Sequence, residues 1–188
     1  MSLDTIRLKD LRRMRDDADL LVDGPTVEAA IGRMAGAITA RLADADPIVF
    51  AAMNGGLVLT GRLLSKLDFP LELSYLHATR YGDATHGNEV EWRAHPLISV
   101  RGRTVLIVDD VLDVGHTLIA IVEHLRTLGA QEVLTAVLVN KLHERKARPG
   151  LHADFSGLDL PDRFLFGMGM DYRGYWRNAD GIYAVKDL

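Results

Sequence analysis

The sequence contains no cysteine, so no disulfide can staple it and the scaffold of a small secreted domain is excluded. It also lacks any apolar run near the ~20 residues that cross a bilayer. The opening MSLDTIRLKDLRRMRDD alternates charges with single apolar residues, without the continuous stretch of a signal peptide. No membrane partner is expected, and the cytoplasm is the expected compartment. There is no dense Lys/Arg block either: 22 basic against 26 acidic residues give a formal net charge of −4. That is not the electrostatic footprint of a nucleic-acid binder, so no nucleic-acid partner is expected. The same balance sets a condition on anionic ligands. Backbone N–H groups or a metal cation must attract them, because the global field does not. Finally, no repeat, low-complexity tract or Pro/Gly/Ser-rich linker divides the chain.

What is present is a balanced globular composition, 48% hydrophobic and 26% charged over 188 residues, enough for one domain with a substantial core. Residues 26–43 place Ala30, Ile31, Met34, Ile38 and Leu42 at helical spacing, with Thr26 as the expected N-cap. PIVFAAM then reads as a short buried strand ending at Asn54-Gly55-Gly56. A helix over about 57–67, the strand LELSYLHAT and the strand TVLIV (104–108) follow. Leu118, Ile121, Val122, Leu125 and Leu128 share one helical face that ends at Gly129, and VLTAVLVN is a further apolar strand. Apolar strands alternating with helices predict an α/β fold with a mostly parallel twisted sheet flanked by helices. Residues 80–103 break the rhythm and read as a long polar loop of the kind that serves as a lid.

The chemistry concentrates in VLIVDDVLDVGHTL, residues 105–118. In open α/β sheets ligands bind at the carboxyl ends of strands, and TVLIV delivers Asp109 and Asp110 there. Gly115 permits a tight path, Thr117 offers a hydroxyl, and the following helix start presents unpaired N–H groups, a cradle suited to phosphate. Neither the ATP-binding P-loop pattern nor the Gly-x-Gly-x-x-Gly of dinucleotide folds is present. Ionised carboxylates accept well from vicinal hydroxyls, so a sugar phosphate fits the register: diol, or a bridging Mg²⁺, on Asp109 and Asp110, and phosphate on the turn. A lone strand-end aspartate is more often a solvated helix cap; three acids with Gly and Thr in this order are not.

The stretch resembles the phosphoribosyl-diphosphate (PRPP) motif of type I phosphoribosyltransferases: apolar strand, two acids, two apolar residues, then Asp-Thr-Gly-x-Thr. Val114 departs from it where Thr or Ser is usual. LPDRFLFGMGMDYRGYWRN (160–178) is similar to the Pro-Asp-x-Phe-x-x-Gly-x-x-x-Asp-Tyr segment of the 6-oxopurine phosphoribosyltransferases, the hypoxanthine-guanine salvage enzymes. The resemblance implies transfer of a 5-phosphoribosyl group from PRPP to N9 of hypoxanthine or guanine. It implies a core over about 26–145 and a hood over the base site from about 1–25 and 146–188, within a single domain. It implies Asp113 at the purine N7 proton, as general base or as an electrostatic partner, and a carboxylate beside dense phosphate is expected to have a raised pKa. Val114, Gly115, His116 and Thr117 would line the phosphate turn. Phe164 would stack on the purine, Leu165 would offer main-chain contacts, and Lys141 would donate to the 6-oxo oxygen, which disfavours adenine.

Asp171, with Asp109 and Asp110, would serve Mg²⁺, Asp171 lying also beside the base, and Arg177 would reach the diphosphate. Met53-Asn54-Gly55-Gly56 aligns with the family's diphosphate loop, often entered through a non-proline cis peptide. Asn54 stands where that loop carries a basic residue, so Gly55 keeps the backbone role and the charge is missing. Thr79-Arg80-Tyr81-Gly82 matches the start of the family's mobile loop, with Arg80 as the expected replacement for the lost charge. Homodimers or homotetramers are implied. A xanthine-preferring enzyme, or a PRPP-sensing regulator of the same fold without transferase activity, remain alternatives.

Overall fold

The computed structural model describes residues 8–80 and 90–186, the side chain of Arg80 excepted. The chain opens with α1 (Leu8–Asp17) and β1 (Asp19–Val22) before the long α2 (Gly24–Leu42). The cap of α2 is Asp23, whose side chain accepts the Thr26 N–H at 2.9 Å. Thr26 therefore sits inside the first turn rather than at the cap, because Pro25 takes a first-turn position where no N–H is needed. Val27, Ile31, Met34, Ile38 and Leu42 form the buried stripe of this helix.

Next come β2 (Ile48–Ala52), α3 (Gly56–Leu64), β3 (Glu72–Arg80) and β4 (Val90–Ala94). The second half runs β5 (Thr104–Leu112), α4 (His116–Thr127), β6 (Glu132–Leu142), β7 (Phe155–Pro161), β8 (Leu165–Phe166) and β9 (Ile182–Ala184). Six strands form one sheet in the order β4-β3-β2-β5-β6-β7. All its neighbours pair in parallel except β3 and β4. Alternate side chains of the central strands enter separate cores. Val49, Leu106 and Val108 pack with α2 and α3, whereas Ile48, Phe50, Val105 and Ile107 pack with α4. Both faces being covered explains why the strands read as unbroken apolar runs. Each fully buried Val, Leu or Ile contributes roughly 1.5–3 kcal/mol.

Two sequence expectations change. The polar stretch 80–103 is not loop throughout, because Val90–Ala94 pairs antiparallel with β3, with a register shift between His77 and Ala78. Residues 155–161, expected in the hood, join the large sheet beside β6. The separate three-stranded sheet is β1-β9-β8, drawn from both ends of the chain. There Phe166 stacks on Tyr183 with centroids 5.3 Å apart, and the Trp176 indole N–H donates to the Leu11 carbonyl of α1 at 3.1 Å.

Candidate active site

From β2 the chain proceeds to β3 on one side and then returns to place β5 on the other. The crevice at the carboxyl ends of β2 and β5 is thus a topological switch point, where open α/β sheets bind ligands. Pairing of β5 with β2 stops at Ala51–Val108, while pairing with β6 continues to Leu112–Asn140. Strand β5 therefore runs four residues beyond TVLIV, and Asp109 and Asp110 project from a braced overhang instead of a loose end. Asp110 is only 8% exposed. Burial and the neighbouring Asp110 charge push the Asp109 carboxyl well up from its ordinary range; burial also pushes Asp110 up, against the opposing pull of Arg177. Acids held together at such a cost mark a functional site.

These acids separate two adjoining cavities. The smaller, about 320 Å³, is lined by Asp109 through Leu118, so Val114, Gly115, His116 and Thr117 come together as expected. Gly115 caps α4 with φ of 93°, and no side chain caps the helix start. An uncapped helix start among the residues that line this cavity is suited to an anion. A Cβ on Gly115 would run into Leu151 and Leu112. The turn is braced from behind, where Lys146 Nζ donates to the carbonyls of Leu112 and Asp113 at 2.8 Å each and the Ala147 N–H donates to the Val114 carbonyl at 2.8 Å. His116 is half-buried with an unpartnered Nδ1.

The larger cavity, about 480 Å³, gathers Asn54, Gly55, Asp113, Lys141, Phe164, Leu165, Asp171 and Arg177 around the same two acids. Phe164 is 43% exposed there, its ring edge-on to Tyr172 at 5.8 Å, which leaves a face for a flat heterocycle. Lys141 Nζ donates to Asp113 Oδ2 at 2.8 Å, and the His143 ring nitrogen Nε2 lies 2.8 Å from Asp113 Oδ1. Partial burial pushes the Asp113 carboxyl up, but hydrogen bonds from Lys141 and His143 together outweigh it and leave it below the usual carboxylate range. The raised value expected from the sequence belongs to a carboxylate beside phosphate, whereas the lowering here comes from the two donors Lys141 and His143.

Met53-Asn54 is a cis peptide, as the resemblance implied. A Cβ on Gly55 would fall on the Asp110 carboxylate, so only glycine lets this loop lie against β5. A cation that the sequence reading did not single out shares this cavity with Asn54. Arg93 of β4 lines the same cavity, with His77 and Thr79 of β3. Among the described residues Arg93 has no ion-pair partner. The side chain of Arg80, with Tyr81 and Gly82, lies outside the described residues. Arg177 is placed by three groups: its Nη2 is 2.5 Å from Asp171 Oδ1, its Nη1 donates to the Gly169 carbonyl at 2.6 Å, and the same Nη1 lies 3.8 Å from Asp110.

Asp109, Asp110 and Asp171 offer the hard oxygen donors that Mg²⁺ prefers, and the upward push on the first two is what a cation would relieve. Mg²⁺ commonly takes only one or two carboxylates plus substrate phosphates, which suits acids spaced around a cavity. Among the described residues the tight ligand-type cluster is instead Asp113, His143 and Asp162, within 4.8 Å. Lys141 and Arg145 already balance its charge, Arg145 at 2.5 Å from Asp162. Arg93, His143 and Lys146 were not singled out from the sequence. A basic or imidazole side chain two to five residues past Lys141 was the available clue for the last two.

The chain matches the phosphoribosyl transferase domain family over residues 17–173. It is 30% identical over 175 residues to the hypoxanthine-guanine phosphoribosyltransferase of Bacillus subtilis (strain 168), covering 92% of this chain and 96% of that one. The Aquifex aeolicus (strain VF5) protein of the same name is 28% identical over 89% of this chain and 94% of its own. Among solved structures, a hypoxanthine phosphoribosyltransferase from Staphylococcus aureus superposes with a TM-score of 0.85 at 24% identity, covering 93% of this chain and 95% of that one. A hypoxanthine-guanine-xanthine phosphoribosyltransferase gives 0.83 at 24% identity over 92% of this chain and 99% of its own.

Proposed function

The chain belongs to the phosphoribosyltransferase family, and from that premise we propose that it serves purine salvage. It transfers the 5-phosphoribosyl group of PRPP to N9 of hypoxanthine or guanine, giving IMP or GMP and diphosphate. Two cavities meeting at the Asp109–Asp113 rim carry this reading, one ending at an uncapped helix start and the other lined by Phe164, Lys141 and Asp113. A nucleotide has that layout, with phosphate, diol and base in line.

The purine N9 lone pair forms the bond to the anomeric carbon while the carbon–oxygen bond to diphosphate breaks, its electron pair leaving with diphosphate. The proton on N7 passes to Asp113, which its hydrogen-bond partners keep ionised and ready to accept. Asp109 and Asp110 take the ribose hydroxyls, and the helix start at Val114–Thr117 takes the 5′-phosphate. Phe164 and Leu165 seat the base, and Lys141 turns from Asp113 to the 6-oxo oxygen. Arg177 and Arg93 face the diphosphate, Arg93 standing in for the charge that Asn54 lacks. Asp171, with Asp109 and Asp110, would hold Mg²⁺, which when bound supplies positive charge to the leaving diphosphate.

The protein works in the cytoplasm as a single-domain subunit of a homodimer or homotetramer. The test is release of diphosphate from PRPP and Mg²⁺ by the purified chain with guanine, hypoxanthine, xanthine or adenine. Turnover with the first two is expected and none with adenine. Release with no base at all would overturn the proposal, as would a rate with xanthine far above both.

A further inference from the structure

We infer that His143 is a positioning residue for Asp113: it holds one carboxylate oxygen with a fixed Nε2–H while the other oxygen passes from Lys141 to the purine. This rests on the phosphoribosyl-transfer reading of the site. His143 follows the end of β6, two residues after Lys141, and its side chain is 6% exposed. Its Nδ1 accepts the Arg145 backbone N–H at 3.1 Å. An accepting Nδ1 carries no proton, so the ring proton is on Nε2, which then donates to Asp113 Oδ1 at 2.8 Å.

The ring needs no charge there. Lys141 and Arg145 already balance Asp113 and Asp162, with Lys141 Nζ 2.8 Å from Asp113 and 3.9 Å from Asp162. Both ring nitrogens are engaged, which also excludes the ring as a free metal ligand in this arrangement.

The two donors on Asp113 differ in kind. Lys141 is a long chain with rotatable bonds, and the base site gives it a second task at the 6-oxo oxygen. His143 is short, buried and pinned at both nitrogens. When Lys141 leaves Oδ2, that oxygen is free for the N7 proton. Without His143 the carboxylate then has no side-chain donor among the described residues to keep its plane or its charge. The groups facing Asp113 are Lys141, His143 and, through its main-chain carbonyl, Lys146, with Arg145 and Asp162 behind them. Of these only His143 supplies a fixed donor to the carboxylate.

The experiment uses the full chain with His143→Met and His143→Gln, near-equal in length, of which only glutamine keeps an N–H at similar reach. With methionine, kcat falls about tenfold, the loss typical of one hydrogen bond to a charged group, while the PRPP KM stays within about twofold. The acid limb of kcat/KM for the base moves to higher pH, because a lost donor raises the carboxyl pKa. Glutamine restores kcat to within about threefold of wild type and returns the acid limb. Unchanged kcat in the methionine variant, equal losses in both variants, or a loss confined to the PRPP KM would each overturn the inference. If thermal unfolding shows the methionine variant unfolded, His143→Glu is read in its place. It matches glutamine in size and repels Asp113, so it must lose more activity than glutamine does. A wild-type chain without base-dependent diphosphate release overturns the transfer reading and this inference together; an active wild type with an indifferent His143 overturns this inference alone.

Discussion

As the proposed proton acceptor, Asp113 must be ionised to take a proton yet must not be satisfied so well that it refuses one. Two donors hold its carboxyl below the usual range, and departure of Lys141 to the base would leave His143 as the remaining donor. Asp113→Asn removes the acceptor while keeping the shape. It is expected to cut turnover by at least ~100-fold, the scale of a lost general base, with the PRPP KM unchanged. Steady-state diphosphate release at varied PRPP and base separates the two constants. Because the carboxyl lies below its ordinary range, wild-type kcat/KM should stay flat through neutral pH and fall only in acid. Arg93 makes the complementary case. Arg93→Met should raise the PRPP KM about tenfold and leave base affinity unchanged, since one lost charge-assisted contact to diphosphate is a binding effect. An unchanged KM would return the role to Arg80. Asp109, Asp110 and Asp113 could be read from the sequence because their motif spacing is local, whereas Lys141 and Phe164 came from the family resemblance and the cavity brings them together with the acids. Arg93 could not, since it acquires meaning only from the cavity it lines, and His143, for which the nearness of Lys141 was the one clue, acquires its meaning from Asp113 across the sheet edge.

At the scale of elements, the long apolar runs of β2, β5 and β6 and the stripes of α2 and α4 were plain in the sequence because burial on both sheet faces leaves no polar positions to disguise them. The exception is Leu128, expected in the α4 stripe, which caps the helix and is exposed. β4 was hidden for the opposite reason. It is an antiparallel edge strand with alternating half-buried and exposed residues, and VEWRA is too short and polar to show a period. β7 was missed likewise, its apolar positions interrupted by Ser156, Gly157 and Asp159 at the other edge. The turn after β5 shows how elements share one task. Its glycine sets the path, but Lys146, beyond β6, holds the carbonyls of Leu112 and Asp113. Burial pushes the Lys146 ammonium below its ordinary range, against the opposing pull of the Asp113 carboxylate. Lys146→Met leaves both carbonyls without this donor and should lower the melting temperature by several degrees, with ~2–4 °C expected per kcal/mol in a chain of this size. GMP should bind more weakly as its phosphate cradle loosens. Calorimetric titration with GMP and with guanosine tells the two apart, since guanosine affinity should be unaffected.

For the whole molecule, two buried neighbouring carboxylates at the carboxyl end of a central strand should weigh against stability. Burial pushes both Asp109 and Asp110 up, and Asp109 further by its neighbour's charge. An acid whose folded pKa exceeds its unfolded one binds its proton more tightly when folded, so its contribution to stability falls as pH rises from the ordinary carboxylate range through the raised value. The acids with lowered values, Asp19, Asp23, Glu28 and Asp162 among them, act in the opposite sense, their support being lost as pH falls through the acid range. A pH–melting curve of the wild type therefore mixes both, and a difference between two proteins isolates the site. Asp109→Asn keeps the oxygen that accepts the Asp110 N–H at 2.9 Å while removing the buried charge. Its melting temperature should equal that of wild type in acid, where Asp109 is protonated in both states. Above that range it should rise over wild type by a few degrees, the shift that about 1 kcal/mol gives at this length. PRPP affinity should fall in the same variant, because the carboxylate whose burial is unfavourable is the one proposed to receive the diol. Equal melting curves at every pH would mean that the fold tolerates the acid pair without cost, and the pair would then lose its standing as a site held ready for a ligand.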